Sequence, residues 1–454
     1  MATDRLFGTN GIRGVVNETL TPSFVMNVGL SIAKYLGNEG RVIVGTDTRT
    51  SRDMMLSAMC AGLLSGGCDV VNVGIAPTPA IQYSIPRFNG KLGVLLTASH
   101  NPPFYNGIKC SDATGTELSR EEEEKIEAIY FSDSYNMVPW DRVGRIMQRD
   151  CKEMYISGIM RNVDVGAIKS AKLRVVVDCA NGAASLTSPY LFERLGCEVI
   201  SMNAHPQGTF PGHPSEPTPE NLKDLMAAVR ACSADLGIAH DGDADRVIFV
   251  DEKGEYVYGD RILALMAKEI VHEHKGGIVV TGINSSMAVE EVVREEGGRV
   301  VYTRVGSPVI ARKMIELSAI FGGEENGGLM FPGHLYARDG AMTAAKVLEV
   351  LAKHKKTLSE MLGTLPKYKL YKTKVDCPHE KKAAVVSQLA EELKNKEVVT
   401  LDGVKVLLDN AWVLVRASGT EEIIRIYGEA KSLEMAKGLV EEYTARVEKI
   451  IRNT

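Results

Sequence analysis

The feature that most constrains the fold is an alternation of short apolar runs with segments of helical periodicity. Early in the chain the apolar runs are RVIVGT from Arg41, DVVNVG from Asp69 and LGVLL from Leu92, and MMLSAMCAGLLSGG lies between the first two. Short runs rich in β-branched residues predict buried strands, and apolar residues that recur with helical spacing predict amphipathic helices. The alternation therefore predicts an α/β layer.

The same pattern occurs in three consecutive blocks before the chain changes character. The second block contains the runs LRVVVDCANG and CEVISM, and the third contains GGIVVTG and RVVYTRVG. Beyond residue 366 a helical segment, three apolar runs and a last helix are typical of a small α+β domain. At roughly 150 residues per domain, a length of 454 residues suggests three or four domains. We predict domains at 1–150, 151–253, 254–366 and 367–454.

Composition narrows the class of protein. With 44% hydrophobic and 24% charged residues the chain should be an ordinary globular protein. A net charge of -5 without a basic run argues against a nucleic-acid partner. The eight cysteines are scattered without a CxxC pair, which fits a reducing compartment. No signal peptide or membrane-spanning run is evident, so we expect a cytoplasmic protein with no membrane partner.

Four short polar segments concentrate the residues that can do chemistry. They are TASHNPP from Thr97, DGDADR from Asp241, GEENGG from Gly323 and RASGTEE from Arg416. Three of them directly follow a short apolar run, which is where open α/β sheets present loops to ligands. Each predicted domain contributes one segment. We expect the four to meet at one cleft.

The DGDADR segment predicts a metal site. Asp241, Asp243 and Asp245 alternate with small residues, so a tight loop can direct three carboxylates at one cation. Mg²⁺ suits this set, because three carboxylates leave coordination positions open for water or a phosphate oxygen. The spacing also matches the start of an EF-hand, but the glutamate that ends such a loop is missing. A solvated acidic turn is the alternative.

The TASHNPP segment offers a nucleophile on a rigid loop. Ser99 and His100 follow the apolar run LGVLL, and Pro102 and Pro103 should restrain the backbone. A Ser-His hydrolase is the competing interpretation, although no GxSxG elbow occurs and adjacent residues seldom form a nucleophile-base pair. A serine in a turn is also often only a cap.

The two remaining segments suggest binding of an anion and of hydroxyls. RASGTEE offers the guanidinium of Arg416, hydroxyls at Ser418 and Thr420, and backbone amides around Gly419, a set that favours phosphate. Alternatively, Arg416 pairs with a neighbouring glutamate. GEENGG carries Glu324 and Asn326 between glycines, which suits hydrogen bonds to vicinal hydroxyls. A plain polar turn is the alternative there.

Taken together and in this order, the four segments resemble the signature loops of the α-D-phosphohexomutase family. FGTNGIRG near the N-terminus and the layout of four blocks match as well, so the resemblance covers essentially the whole chain. The resemblance implies three topologically similar mixed-sheet α/β domains and a smaller C-terminal α+β domain around a central cleft.

The resemblance also implies roles for individual residues. Ser99 would be phosphorylated, and Mg²⁺ would be held by Asp241, Asp243, Asp245 and a phosphoserine oxygen. Arg246 would lie near the transferring phosphoryl group, and Arg13 and Lys109 near the reacting hydroxyl. We select Lys109 and His100 as candidates for proton handling.

Substrate recognition follows from the same resemblance. Glu324 and Asn326 would read the sugar, and Arg416, Ser418, Gly419 and Thr420 would bind the phosphate that is not reacting. Arg304, Ser307 and Pro308 lie in a segment that influences sugar choice in the family, unless they form only a helix cap.

The predicted function is a phosphohexomutase that interconverts hexose 6-phosphate and hexose 1-phosphate through a phosphoserine and a hexose 1,6-bisphosphate. FGTNGIRG with RASGTEE resembles phosphoglucosamine mutases and favours glucosamine phosphate, whereas Asn326 resembles phosphomannomutase/phosphoglucomutase relatives. A sugar phosphatase and a non-catalytic sugar-phosphate sensor are the competing functions.

Overall fold

The first domain is built on a six-stranded mixed sheet. The computed structural model describes residues 5–8, 10–418 and 421–453. The strands of this sheet are β1 (Ile12–Val15), β2 (Arg41–Thr46), β3 (Asp69–Ile75), β4 (Leu92–Leu96), β5 (Tyr105–Asp112) and β6 (Ile146–Gln148), in the order β1-β5-β4-β2-β3-β6. The helices are α1 (Pro22–Tyr35), α2 (Arg52–Ser65), α3 (Thr78–Arg87) and α4 (Arg120–Phe131).

The second domain has a five-stranded sheet. Its helices are α5 (Lys152–Met160), α6 (Val165–Ala171), α7 (Ser188–Arg194) and α8 (Lys223–Ala231). Its strands are β7 (Arg174–Asp178), β8 (Glu198–Met202), β9 (Leu236–His240), β10 (Val247–Val250) and β11 (Tyr256–Val257), in the order β11-β10-β9-β7-β8.

The third domain has a four-stranded sheet. Its helices are α9 (Gly259–His274), α10 (Met287–Glu295), α11 (Ser307–Leu317), α12 (Gly340–His354) and α13 (Leu358–Gly363). Its strands are β12 (Gly277–Gly282), β13 (Gly298–Thr303), β14 (Phe321–Gly323) and β15 (Leu329–Met330), in the order β13-β12-β14-β15.

These three sheets share one topology, and it places their polar loops at equivalent points. In each sheet a strand lies between two parallel neighbours, and the third strand of the set is followed by an antiparallel one. The loops between these last two strands are 97–104, 241–246 and 324–328. They contain TASHNPP, DGDADR and, after Gly323 at the end of β14, the rest of GEENGG. The three sequence motifs therefore occupy the same position in three copies of one architecture.

The fourth domain is an antiparallel sheet covered by helices, as the sequence predicts for an α+β unit. Its strands are β16 (Lys369–Asp376), β17 (Val398–Val399), β18 (Val404–Leu408), β19 (Ala411–Ala417) and β20 (Ile423–Ala430), in the order β16-β20-β19-β18-β17. Its helices are α14 (His379–Glu392) and α15 (Leu433–Asn453).

The hydrophobic clusters show which domains pack together. One apolar cluster runs through the first three domains and includes Tyr83, Tyr155 and Phe321. The fourth domain has its own cluster, and a small one around Ile283 and Trp412 joins it to the third domain. The first three domains thus form one packed unit that holds their loops in place.

Local sequence signals account for several helix ends. Thr21 caps α1 by accepting a hydrogen bond from the amide of Phe24, and Pro22 is the first helical residue, where proline is favoured. Thr218 followed by Pro219 is a pattern typical of a helix start, but helix α8 begins only at Lys223. A separate turn precedes it, in which the amides of Asn221 and Leu222 donate to the carbonyl of Thr218. No helix in the described part of the chain is long and apolar enough to span a membrane.

Candidate active site

Ser99 lies at the turn that follows β4, in a strained backbone conformation. Its φ of 52° is in the left-handed region, which costs a non-glycine residue roughly 1–3 kcal/mol. Its amide donates to Oγ1 of Thr97 at 2.9 Å, and its hydroxyl donates to Oδ2 of Asp241 at 2.6 Å. This turn places the Ser99 hydroxyl of the first domain against the acidic loop of the second.

Arg49 holds this loop in place, and the sequence analysis missed it. Its buried guanidinium donates to the carbonyl oxygens of Ser99, Asn101, Pro102 and Tyr105 at 2.6–2.9 Å. Asp47 balances its charge at 3.1 Å. A signal was available, because Arg49 lies in the polar segment directly after an apolar run, as the chosen motifs do.

The three aspartates form a buried cluster with free oxygens. One carboxylate oxygen from each of Asp241, Asp243 and Asp245 lies within 4.8 Å of the others. Ala244, between the last two, has a φ of 59°, so this loop is strained as well. Oδ1 of Asp243 and Oδ1 of Asp245 are buried and accept no hydrogen bond from described residues. Buried carboxylate oxygens without donors fit a small hard cation.

Basic side chains engage the opposite oxygens of the same aspartates. Lys109 donates to Oδ2 of Asp243 at 3.0 Å and to Oδ2 of Asp245 at 3.1 Å. Oδ2 of Asp243 also accepts a 2.8 Å hydrogen bond from Thr78. Arg246 contacts Oδ2 of Asp241 at 3.0 Å. These contacts orient the aspartates so that Oδ1 of Asp243 and Oδ1 of Asp245 accept no hydrogen bond from the described residues.

The charges in the cluster shift the pKa values of its members. Burial raises the pKa of Asp241 to about 6. Burial would also raise the pKa of Asp243, but Lys109 and Thr78 outweigh it and hold that pKa well below its ordinary value. Burial alone would lower the pKa of Lys109, yet Asp243 and Asp245 keep it above its ordinary value. Lys109 is therefore a charged ammonium group at neutral pH.

His100 is part of the serine loop, and Arg13 of β1 contacts that loop. Nδ1 of His100 is 3.4 Å from Oγ of Ser99, a long contact for a hydrogen bond. Burial lowers the pKa of His100 to about 3, and the charges of Arg246 and Arg13 act in the same direction. His100 is therefore neutral at physiological pH. Arg13 donates to Oδ1 of Asn101 at 2.6 Å, so it supports the serine loop from β1.

The glutamate loop of the third domain reaches the aspartate cluster through Arg338. This arginine donates to Oε2 of Glu324 at 2.8 Å and to Oδ2 of Asp245 at 2.5 Å. The amide of Val247 in β10 also donates to the carbonyl of Gly327 at 3.2 Å. Asn326 accepts a 3.1 Å hydrogen bond from the amide of Gly328, which closes its own loop. Arg338, ten positions after the motif, was not among the residues predicted from the sequence.

Ser307 lies at a contact between the first and third domains. It is the first residue of α11, with Pro308 after it, and its hydroxyl donates to Oε2 of Glu117 at 2.6 Å. Arg304 in the same segment is exposed. The structure thus shows a domain contact at Ser307, and its influence on sugar choice stays a prediction.

The phosphate-binding segment is anchored by a carboxylate that the sequence analysis missed. Oδ2 of Asp402 accepts from Nε of Arg416 at 2.7 Å and from the amide of Val305 at 3.0 Å. Among the described residues the ion pair of Arg416 is with Asp402 and not with the neighbouring Glu421 or Glu422, and Glu421 pairs with Arg425 instead. Asp402 thereby links this segment to the loop of the third domain before α11.

Ser418, in the same segment, is buried, and Gly419 and Thr420 lie outside the described residues.

Known protein families match the chain from one end to the other. The phosphoglucomutase/phosphomannomutase α/β/α domains I, II and III match residues 4–137, 153–254 and 258–368, and the C-terminal domain of the same proteins matches residues 373–446. The chain belongs to this family. The α-D-phosphohexomutase resemblance and the predicted four-domain fold are therefore confirmed, and the chain is assigned to the phosphohexomutases, which are isomerases.

Individual relatives agree with the family assignment. A phosphoglucomutase/phosphomannomutase from Thermococcus kodakarensis is 47% identical over 443 residues, covering 96% of this chain and 97% of the relative. A probable phosphoglucosamine mutase from Methanobrevibacter smithii is 43% identical, covering 97% of this chain and 98% of the relative. The crystal structure of a family protein from Burkholderia thailandensis superimposes with a TM-score of 0.88 at 27% identity, covering 98% and 97% of the two chains.

Within this phosphohexomutase, the described contacts join three of the four predicted loops. Ser99 meets Asp241 directly, and Arg338 connects Asp245 to Glu324. The fourth loop is connected to the third domain through Asp402. The individual roles assigned to these residues, and the exact domain boundaries, stay predictions.

Proposed function

We propose that this phosphohexomutase converts a hexose 6-phosphate into the hexose 1-phosphate by storing a phosphoryl group on Ser99. The observation that carries the proposal is the 2.6 Å hydrogen bond between Oγ of Ser99 and Asp241, beside two buried carboxylate oxygens without donors. A hydroxyl that exchanges a phosphoryl group needs positive charge nearby, because the transferring group is anionic. Lys109 and Arg246 supply part of that charge.

Asp241, Asp243 and Asp245, with an oxygen of phosphorylated Ser99, would hold Mg²⁺. The fit is supported by the oxygen-only donor set and by the free Oδ1 atoms of Asp243 and Asp245. When bound, the ion would neutralise charge that develops on the phosphoryl oxygens.

The proposed reaction consists of two phosphoryl transfers. First the bond between phosphorus and Oγ of Ser99 breaks while a bond to O1 of hexose 6-phosphate forms, and the sugar hydroxyl loses the proton that Ser99 regains. The hexose 1,6-bisphosphate then reorients, and its 6-phosphoryl group returns to Ser99 by the same chemistry reversed. The phosphorylated enzyme is restored, so no further phosphoryl donor is consumed.

Two groups are candidates for moving the proton. His100 lies 3.4 Å from the serine oxygen, so its position suits it to accept a proton once an anionic phosphate nearby raises its pKa, which is about 3 without that charge. Lys109 is charged and bound to Asp243 and Asp245, so it can donate a proton or stabilise a negative charge. We assign proton acceptance to His100 and charge stabilisation to Lys109.

The reorientation requires a site that accepts either phosphate. Arg416 and Ser418, together with Gly419 and Thr420, would bind the phosphate that is not reacting. Glu324 and Asn326 would bind the hydroxyls between the two phosphates, in both orientations. The fourth domain has its own hydrophobic core, so it can move as a unit while the first three domains stay packed. This supports placing the site for the non-reacting phosphate on that domain.

The preferred sugar has two candidates. FGTNGIRG and RASGTEE favour glucosamine phosphate, and the Methanobrevibacter smithii relative is named as a probable phosphoglucosamine mutase. Asn326 and the Thermococcus kodakarensis relative favour glucose and mannose phosphates. A comparison of kcat/KM for the three hexose phosphates, with a trace of the matching bisphosphate, decides between them.

The same assay tests the proposed reaction. Isomerisation without release of inorganic phosphate is expected. Stoichiometric phosphate release would support a sugar phosphatase instead, and binding of sugar phosphate without turnover would support a sensor.

A further inference from the structure

Arg338 is a buried cation shared by two loops of the candidate site. It precedes Asp339, the N-cap residue of α12, and is 7% exposed. Its two terminal nitrogens divide their contacts, one donating to Oε2 of Glu324 and the other to Oδ2 of Asp245. The planar guanidinium group can make both contacts because its donors are held at fixed angles to each other.

The stem of Arg338 crosses the glutamate loop at Gly328. A Cβ atom on Gly328 would lie 2.3 Å from Cδ of Arg338 and 2.9 Å from its Cγ. These distances leave no space for any side chain at position 328 while Arg338 keeps its position. The last glycine of GEENGG therefore has a steric reason that concerns a residue outside the motif.

The contact with Arg338 leaves the other oxygen of Glu324 available. Glu324 is 5% exposed, and within the described residues no donor engages its Oε1. A carboxylate oxygen in such a protected position gains considerably from a hydroxyl donor supplied by a ligand. The orientation of that oxygen depends on Arg338, which fixes the other end of the carboxylate.

We infer that Arg338 is a positioning residue for substrate hydroxyls, acting through Glu324. By binding Asp245 with its second nitrogen, it also keeps the glutamate at a constant distance from the aspartate cluster at which the phosphoryl group reacts. The inference rests on the proposed function and adds a residue that determines sugar recognition without contacting the sugar.

The inference predicts a selective defect, which a purely structural role does not. The wild-type enzyme is assayed with its best hexose 1-phosphate and with the 2-, 3- and 4-deoxy derivatives of that sugar. For the hydroxyl that Glu324 binds, removal should lower the wild-type kcat/KM by about 10-fold to 100-fold, as for a hydrogen bond to a charged group. In Arg338→Met that particular penalty should fall to within about threefold, while the penalties at the other positions persist.

Further variants separate orientation from folding. In Glu324→Ala, removal of that same hydroxyl should no longer lower kcat/KM. In the Glu324→Ala/Arg338→Met double variant, the change in this penalty should be no larger than in either single variant. Gly328→Ala should reproduce the selective defect although Arg338 is still present, because the added methyl group displaces its stem. Arg312→Met is the matched control, since Arg312 also connects the third domain to the first, through Asp112 at 2.8 Å, and should keep all wild-type penalties.

Two results would overturn the inference. One is a uniform fall in kcat/KM for every deoxy sugar in Arg338→Met and Gly328→Ala, which would show a merely structural role. The other is a wild-type pattern of penalties in either variant. If the wild-type enzyme turned over no hexose phosphate at all, the proposed function itself would fail, so the two failures are distinguishable.

Discussion

Ser99 and Asp241 are 142 positions apart in the chain, yet the hydroxyl of one lies 2.6 Å from the carboxylate of the other. The contact joins the first domain to the second, at loops that occupy equivalent points in two sheets of the same topology. The proposed nucleophile on one domain thus faces the proposed cation site on the next. This arrangement makes both residues direct targets for experiment.

Replacing Ser99 should abolish turnover and leave the fold intact. Ser99→Ala should lower kcat by about 10³-fold or more, because the variant has no oxygen to carry the phosphoryl group. Steady-state kinetics and circular dichroism measure the two effects. Ser57→Ala, at an exposed position in α2 of the same domain, is the control. Wild-type turnover in Ser99→Ala would refute the phosphoserine mechanism.

Removing divalent cations should inactivate the enzyme reversibly. EDTA should abolish activity until Mg²⁺ is restored, because the free oxygens of Asp243 and Asp245 would then have no cation to bind. Binding should also stabilise the fold, by about 3 kcal/mol at about 100 times Kd. Thermal unfolding with and without Mg²⁺ tests this, and Asp243→Asn should reduce the shift. Full activity in the chelator would contradict the metal assignment.

Arg416 should matter for substrate binding more than for folding. Arg416→Ala should raise KM for hexose phosphates about 10-fold to 100-fold, the loss expected for one or two charge-assisted hydrogen bonds. Arg425→Ala is the matched control, because Arg425 is the direct partner of Arg416 on the neighbouring strand and pairs with Glu421. Equal KM values for the two variants would count against the phosphate site.

Loss of Arg49 should destabilise the protein and disorganise the serine loop. Arg49→Met leaves Asp47 buried without its partner and frees four carbonyl oxygens. We expect the free energy of unfolding to fall by about 3–5 kcal/mol, with a loss of kcat in the folded fraction. Urea unfolding measures the first effect, with the half-buried Arg52→Met as control. Unchanged stability would show that the loop does not depend on this cation.

Alkaline pH should strengthen the junction between the third and fourth domains. Burial lowers the pKa of Lys405 from 10.5 to about 8, although Glu429 opposes the shift, and its ammonium group donates to the carbonyl of Ile283 at 2.7 Å. Between pH 8 and pH 10.5 the unfolded state therefore binds more protons than the folded state. The contribution of Lys405 to the free energy of unfolding thus rises across this range.

The difference in unfolding free energy between the wild type and Lys405→Met, measured across this range, isolates the effect. A difference independent of pH would contradict it.

Much of the architecture was predictable from short stretches of sequence. The runs at Arg41, Asp69 and Leu92 became β2, β3 and β4, and DGDADR brought three carboxylates together within six residues. These features depend on apolar periodicity and on side chains that are neighbours along the chain. Such interactions operate over a few residues, so the sequence alone determined the alternating α/β units and the acidic cluster.

The partners of those residues were decided by the tertiary structure. Arg49 binds carbonyls 50 or more positions away, Arg338 joins Asp245 to Glu324, and Asp402 connects Arg416 to Val305. A local pattern can place a residue such as Arg49 in a polar loop, but it does not identify the groups that the residue binds, since those contacts exist only when packed sheets bring the loops face to face. The motifs supplied the reactive groups, and the packing of the domains decided which groups hold them in position.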